Sequence, residues 1–346
     1  MKRLLLLITL ILSFCLVSFG QTTVPNQTTP TFTPLPFVAP ASEPDTIVPI
    51  HAVQWSPDGN MIAFGGGTST CSLSWKDQFG ISIWNVSMNQ VEQKLVKHTC
   101  EITALDWSAD SQLLVSASYD EIAVIWDVKS QAPIVTSDFE PYGRNSIQFS
   151  NDASKVLNGL VYNYLYSVWD AQTGETIDYI YTDQSDTIRT VAWSSDNSKI
   201  ASGSADSTIA IVDAKTYQIL LSLQGHKKGV CYLQWKPDDS QLASTSEDGT
   251  VRIWNAMTGQ ILRVLSVESR QLKWHPTHNI LAVVSDSATS ITFWNTKTGE
   301  LIKEIESDIG LIFDLDWHPD GTSLVYVGKQ TDSEGENLRI VEFIFP

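Results

Sequence analysis

Residues Ser244 to Asn255 read STSEDGTVRIWN, and this stretch decides the fold. Ser-Glu-Asp-Gly is turn chemistry, because Asp caps its own backbone and Gly accepts left-handed dihedral angles at no steric cost. Thr-Val-Arg-Ile-Trp-Asn then alternates apolar and polar side chains, the period of a β-strand. The same ending recurs as ISIWN at 81–85, VIWD at 124–127, SVWD at 167–170, AIVD at 210–213 and ITFWN at 291–295. A strand ending written this often belongs to a repeated unit.

Working outward, each ending is preceded by a second phrase, an apolar strand closing on an aromatic residue and followed by a turn. Its anchors are Trp55 (VQWSPDG), Trp107 (LDWSADS), Phe149 (IQFSNDA), Trp193 (VAWSSDN), Trp235 (LQWKPDD), Trp274 (LKWHPTH) and Trp317 (LDWHPDG). Their separations are 52, 42, 44, 42, 39 and 43 residues. A period of about 40–45 residues with four short strands per unit is that of a propeller blade. Over residues 46–346 the chain resembles the WD40 repeat family. That resemblance implies an all-β, seven-bladed propeller with four-stranded antiparallel blades. Three units are written differently from the rest: Phe149 replaces the anchor Trp of the third, Val212 replaces the closing Trp of the fourth, and Val341 that of the seventh.

The resemblance also implies a hydrogen-bonded tetrad in two units: His98, Ser116, Asp120 and Trp126, and His226, Ser244, Asp248 and Trp254. In that family the Asp holds the His, the His reaches the Ser, and the Ser meets the indole N–H. A buried carboxylate and imidazole are tolerable only inside such a satisfied network, so these histidines read as structural. The seventh unit runs out after its third strand at Pro346, and its outer strand is expected from within Thr31 to Ser42.

The N-terminus is read as an address. A basic start, Met1-Lys2-Arg3, precedes a 16-residue apolar run, Leu4 to Phe19, which ends on small residues. This is the layout of a cleaved secretory signal, residues 1–20, and the run is short for a membrane span of about 20 residues. The alternative is an uncleaved membrane anchor. Residues 21–45 form a Thr/Pro-rich linker. Residues 21–50 hold seven of the chain's 14 prolines, a composition that favours extended chain over a core. The formal net charge of −17 argues against nucleic acid or anionic lipid as partners, since both need clustered Lys and Arg.

Function is sought in what the repeat leaves over. Of 12 tryptophans only Trp75 is neither an anchor nor a closing residue, and it lies in the largest irregularity, Gly65 to Gly80. By the resemblance, that turn shares a rim with the connections between blades. Aromatic residues and Arg gather there: Trp75, Phe79, Tyr119, Tyr142, Arg144, Tyr162 and Tyr164. Such a composition is typical of interface hot spots. Cys71 and Cys100 fall on the same rim, and a disulfide between them would pin the inserted turn; Cys231 reads as a small buried apolar residue. His275, His278 and His318 look metal-like, but two of them hold equivalent places in successive turns, so no metal is expected. No catalytic residue and no cofactor motif emerges. The expectation is an exported or periplasmic monomeric propeller that binds a protein or peptide on the rim of blades one to three. The alternative is a propeller hydrolase or lyase with its site in the central funnel.

Overall fold

A computed structural model describes residues 31–34, 49–67, 79–138, 146–159, 164–329 and 338–344. The signal segment 1–20 and most of the linker lie outside the described residues. Seven four-stranded antiparallel sheets form the blades of a propeller. The inner strands are Ile50–Trp55, Ile102–Trp107, Ile147–Phe149, Ile188–Trp193, Val230–Trp235, Gln271–Trp274 and Leu311–Trp317, each ending on its anchor.

The core lies between blades rather than within them. Seven apolar clusters fill the seven gaps; one joins Ile81, Ile83 and Leu95 of blade one to Trp107, Leu114 and Trp126 of blade two. The last gap joins Val53, Trp55 and Trp84 of blade one to Val325, Val327 and Leu338 of blade seven. A single blade would leave both apolar faces wet, so the stack gains its hydrophobic stabilisation only by closing into a ring.

Closure has a second component. Thr31–Pro34 pairs antiparallel with Leu338–Ile344, in register Thr31↔Ile344 to Pro34↔Val341. This strand is the outermost of blade seven, and it falls within the segment expected to supply it. Pro34 fits there because an outermost strand leaves alternate N–H groups without a ladder partner.

Five inner strands carry a register shift four residues before the anchor, at His51, Thr103, Arg189, Cys231 and Phe313. A β-bulge inserts an extra residue and re-aims a side chain. At these five positions it re-aims side chains that strict alternation would have sent elsewhere.

Candidate functional site

The expected rim residues divide into two groups. Trp75, Tyr142, Arg144, Tyr162 and Cys71 lie outside the described residues. Phe79 is described and corrects the expectation: it is 1% exposed, and its ring packs against Gly67. It is a core residue and presents nothing to a partner. Tyr119 is half-buried, with its backbone N–H bonded to Glu101 O at 3.0 Å. Tyr164 is 51% exposed and sits in the left-handed region at φ 55°.

Blade three adds residues that sequence reasoning missed. Tyr181 is 70% exposed and Tyr179 is 50% exposed, both on the outer strand Thr176–Tyr181. Tyr181 pairs directly with Leu165, the residue after Tyr164, so both tyrosines lie at the same end of the blade. The signal was legible as TIDYIY, where Ile177, Tyr179 and Tyr181 share one face of the strand.

Both tetrads form. His98 Nε2 lies 2.8 Å from Ser116 Oγ, its Nδ1 lies 3.0 Å from Asp120, and Trp126 Nε1 donates to Ser116 Oγ at 2.8 Å. In blade five His226 Nε2 to Ser244 Oγ is 2.8 Å, His226 Nδ1 to Asp248 is 3.0 Å, and Trp254 Nε1 to Ser244 is 2.9 Å. Burial lowers the His226 pKa. Burial also opposes charge on Asp248, but bonds from Thr250, Lys227 N and His226 outweigh it and hold that carboxyl down to about 2. Blade four builds a third version that was not anticipated. Gln184 takes the His place, bonding Ser202 Oγ at 2.7 Å, while Asp206 accepts Ser185 N at 2.6 Å. The equal offset of 18 residues to the Ser was the available clue.

The channel neck carries a second network, one residue before each anchor. Asp106 accepts Phe149 N at 2.7 Å, Gln148 accepts Trp193 N at 2.8 Å, and Gln234 accepts Trp274 N at 2.9 Å. Asp316 accepts Trp55 N at 2.9 Å, across the seam where the chain ends meet. Each bond ties one blade to the next. Lys273 cannot accept; its Nζ lies 3.2 Å from Asp316 Oδ1. Burial works against the Lys273 ammonium, but Asp316, Tyr232 and Asp314 outweigh it and raise its pKa. Burial pushes Asp106 up to about 7 and Asp314 up to about 6.

At the mouth, Arg189 pairs with Glu247 at 2.7 Å and Arg270 with Asp286 at 3.3 Å, so neither guanidinium stands ready for an anionic ligand. Cys231 is a free thiol at a bulge and only partly buried, which corrects its reading as a core residue; its pKa is raised by burial. On the opposite rim His275 Nε2 meets Gly321 O at 3.1 Å and His318 Nε2 meets Gly59 O at 3.3 Å. These histidines latch blade six to seven and blade seven to one. Among the described residues no cluster of three or more His, Cys, Asp or Glu could hold a metal ion.

The geometry defines a propeller whose charged and imidazole groups serve the joints between and within blades. Residues 89–127, 176–213 and 217–255 match the family model described as WD domain, G-beta repeat. Each match starts in or beside the outer strand of one blade and ends with the third strand of the next. The chain is 26% identical to Protein HIR1 of Kluyveromyces lactis over 210 residues, 51% of this chain and 23% of that protein. It is 26% identical to the COMPASS component SWD3 of Saccharomyces cerevisiae over 136 residues, 39% of this chain and 40% of that protein. It is 35% identical to WD repeat-containing protein 1 of Xenopus tropicalis over 87 residues, 25% of this chain and 13% of that protein. The matched stretches thus span less than half of each relative. Three stretches of this seven-bladed propeller thus match the WD-domain, G-beta-repeat model.

Proposed function

We propose that this propeller is an exported platform that binds a protein or peptide on the rim of blades one to three. Proteins built of WD repeats generally serve as interaction scaffolds, and rigid, repeated blades with variable rims suit that use. The observation that carries the rim assignment is the exposure of three tyrosines of blade three, Tyr164, Tyr179 and Tyr181. Tyr supplies large contact area at low conformational cost and is enriched at binding hot spots. Trp75 and Tyr119 extend the same surface in this reading. A Cys71–Cys100 disulfide would fix the inserted turn of blade one against it; Cys100 is fully buried, and an oxidising compartment would keep such a bridge.

The test is affinity capture from the native medium or envelope, comparing wild type with a Tyr164→Ala, Tyr181→Ala double variant and with Trp75→Ala. Captured partner should fall at least tenfold in each variant while the circular dichroism spectrum stays that of wild type. Equal capture by all three proteins would overturn the rim assignment. Thiol counting in denatured protein tests the bridge, and a titrating Cys71 would overturn it.

A further inference from the structure

The neck of the channel holds more negative charge than its own cation balances. Its inner wall from blade six to blade two carries three carboxylates, Asp314, Asp316 and Asp106, and one ammonium, Lys273. Lys273 is bound to Asp316 at 3.2 Å, which leaves Asp314 and Asp106 without a cationic partner in contact among the described residues. Two amides lean on these carboxylates: Gln54 Nε2 donates to Asp106 at 3.0 Å and Gln271 Nε2 donates to Asp314 at 2.5 Å. Those bonds fix the amide orientations, so Gln54 Oε1 and Gln271 Oε1 are the free ends, and neither has a partner among the described residues.

Thr103 supplies the independent pointer. It is 7% exposed, its hydroxyl has no partner among the described residues, and it lines the same cavity as Gln54, Gln271 and Asp314. That cavity encloses about 110 Å³, room for one small guest and its water. A buried excess of oxygen acceptors and negative charge is costly unless something positive enters or protons bind.

We propose that the channel neck binds one small monovalent cation, of ammonium or potassium size, held by Asp314, the amide oxygens of Gln54 and Gln271, and the Thr103 hydroxyl, with Asp106 behind Gln54. The ligands come from four consecutive blades, so the ion would bridge the seam at which the ring closes. The carboxylates are spread along an arc and do not converge, which favours a weakly hydrated monovalent ion over a divalent metal. The remaining titratable groups facing the cavity are Lys273, Tyr232 and His51, the last of which pairs with Glu101 at 3.1 Å.

The experiment is thermal unfolding of the full chain at about pH 8, where the carboxyl groups are ionised, in ammonium, potassium and tetramethylammonium chlorides at matched ionic strength. Potassium or ammonium should raise Tm saturably above the tetramethylammonium value, as expected for a ligand bound only by the folded state. At about pH 5 protons compete and the rise should vanish. Equilibrium dialysis with radioactive rubidium should retain one ion per chain, and Gln54→Leu or Gln271→Leu, which leave the charge unchanged, should weaken retention at least tenfold. Identical Tm in the three salts at the higher pH, with no rubidium retained by wild type, would overturn the proposal.

Discussion

Asp316 Oδ2 accepts the backbone N–H of Trp55 at 2.9 Å across 261 residues of sequence. The same carboxylate holds Lys273 through its other oxygen. One side chain therefore joins blades six, seven and one. The equivalent bonds elsewhere, Asp106 to Phe149 and Gln234 to Trp274, each join two neighbouring blades.

Replacing Asp316 with Ala leaves the Lys273 ammonium buried without its partner and the Trp55 N–H unpaired. Breaking a buried pair from one side costs about 3–5 kcal/mol. Asp316→Asn keeps the acceptor for Trp55 and should lose less. Urea unfolding of the two variants beside wild type checks the order.

Removing the outermost strand of blade seven should open the ring. Deleting residues 21–34 exposes the edge of Leu338–Ile344, while deleting 21–30 spares the pairing from Thr31 to Pro34. The longer deletion should lower Tm and promote association, since an unpaired edge invites foreign strands. The shorter one should melt like wild type. Scanning calorimetry with light scattering separates the two outcomes.

The His275 latch predicts acid sensitivity with a defined sign. Burial, and then the neighbouring His278, lower its pKa from 6.5 to about 4. The unfolded chain therefore takes up a proton that the folded chain refuses. This contribution to stability is present above about pH 6.5 and is lost as the pH falls toward about 4, on the order of 3 kcal/mol in all. His275→Gln, which keeps a donor for Gly321 O, should flatten the decline over that window. Tm measured against pH for both proteins decides it.

The tetrads should rank by how much each change strands. Asp248→Ala leaves the buried His226 Nδ1 with only the 3.4 Å approach of Thr250 Oγ1, at about 1–3 kcal/mol for a buried polar group. Gln184→His in blade four should gain little, because Val212 offers no indole N–H to complete the network. Chemical unfolding of the two variants checks both statements; an Asp248→Ala protein as stable as wild type would remove the structural reading of the histidine.

Much of this was open to reading in one dimension. The 39–52-residue spacing of the aromatic anchors, the turn chemistry and the strand period made the propeller and its blade count legible, because each blade repeats the same local burial problem. The Thr31–Pro34 closure was legible by subtraction, from a seventh unit that lacked an outer strand. Phe79 misled: an aromatic at the end of an irregular turn looks the same in sequence whether it faces solvent or fills the gap beside Gly67. The Gln184 network escaped notice because it keeps the geometry of the tetrad and changes two of its residue types.

What the sequence by itself determined is the periodic part: strand, turn, anchor and the demand that seven two-faced sheets stack. These follow from local dihedral preferences and from alternation, which neighbours in the chain are enough to set. Only the tertiary structure decided which polar side chains meet. Asp316 reaches Trp55 and Gln271 reaches Asp314 because ring closure brings them together, and the energies of those contacts depend on burial and distances that no stretch of chain carries alone.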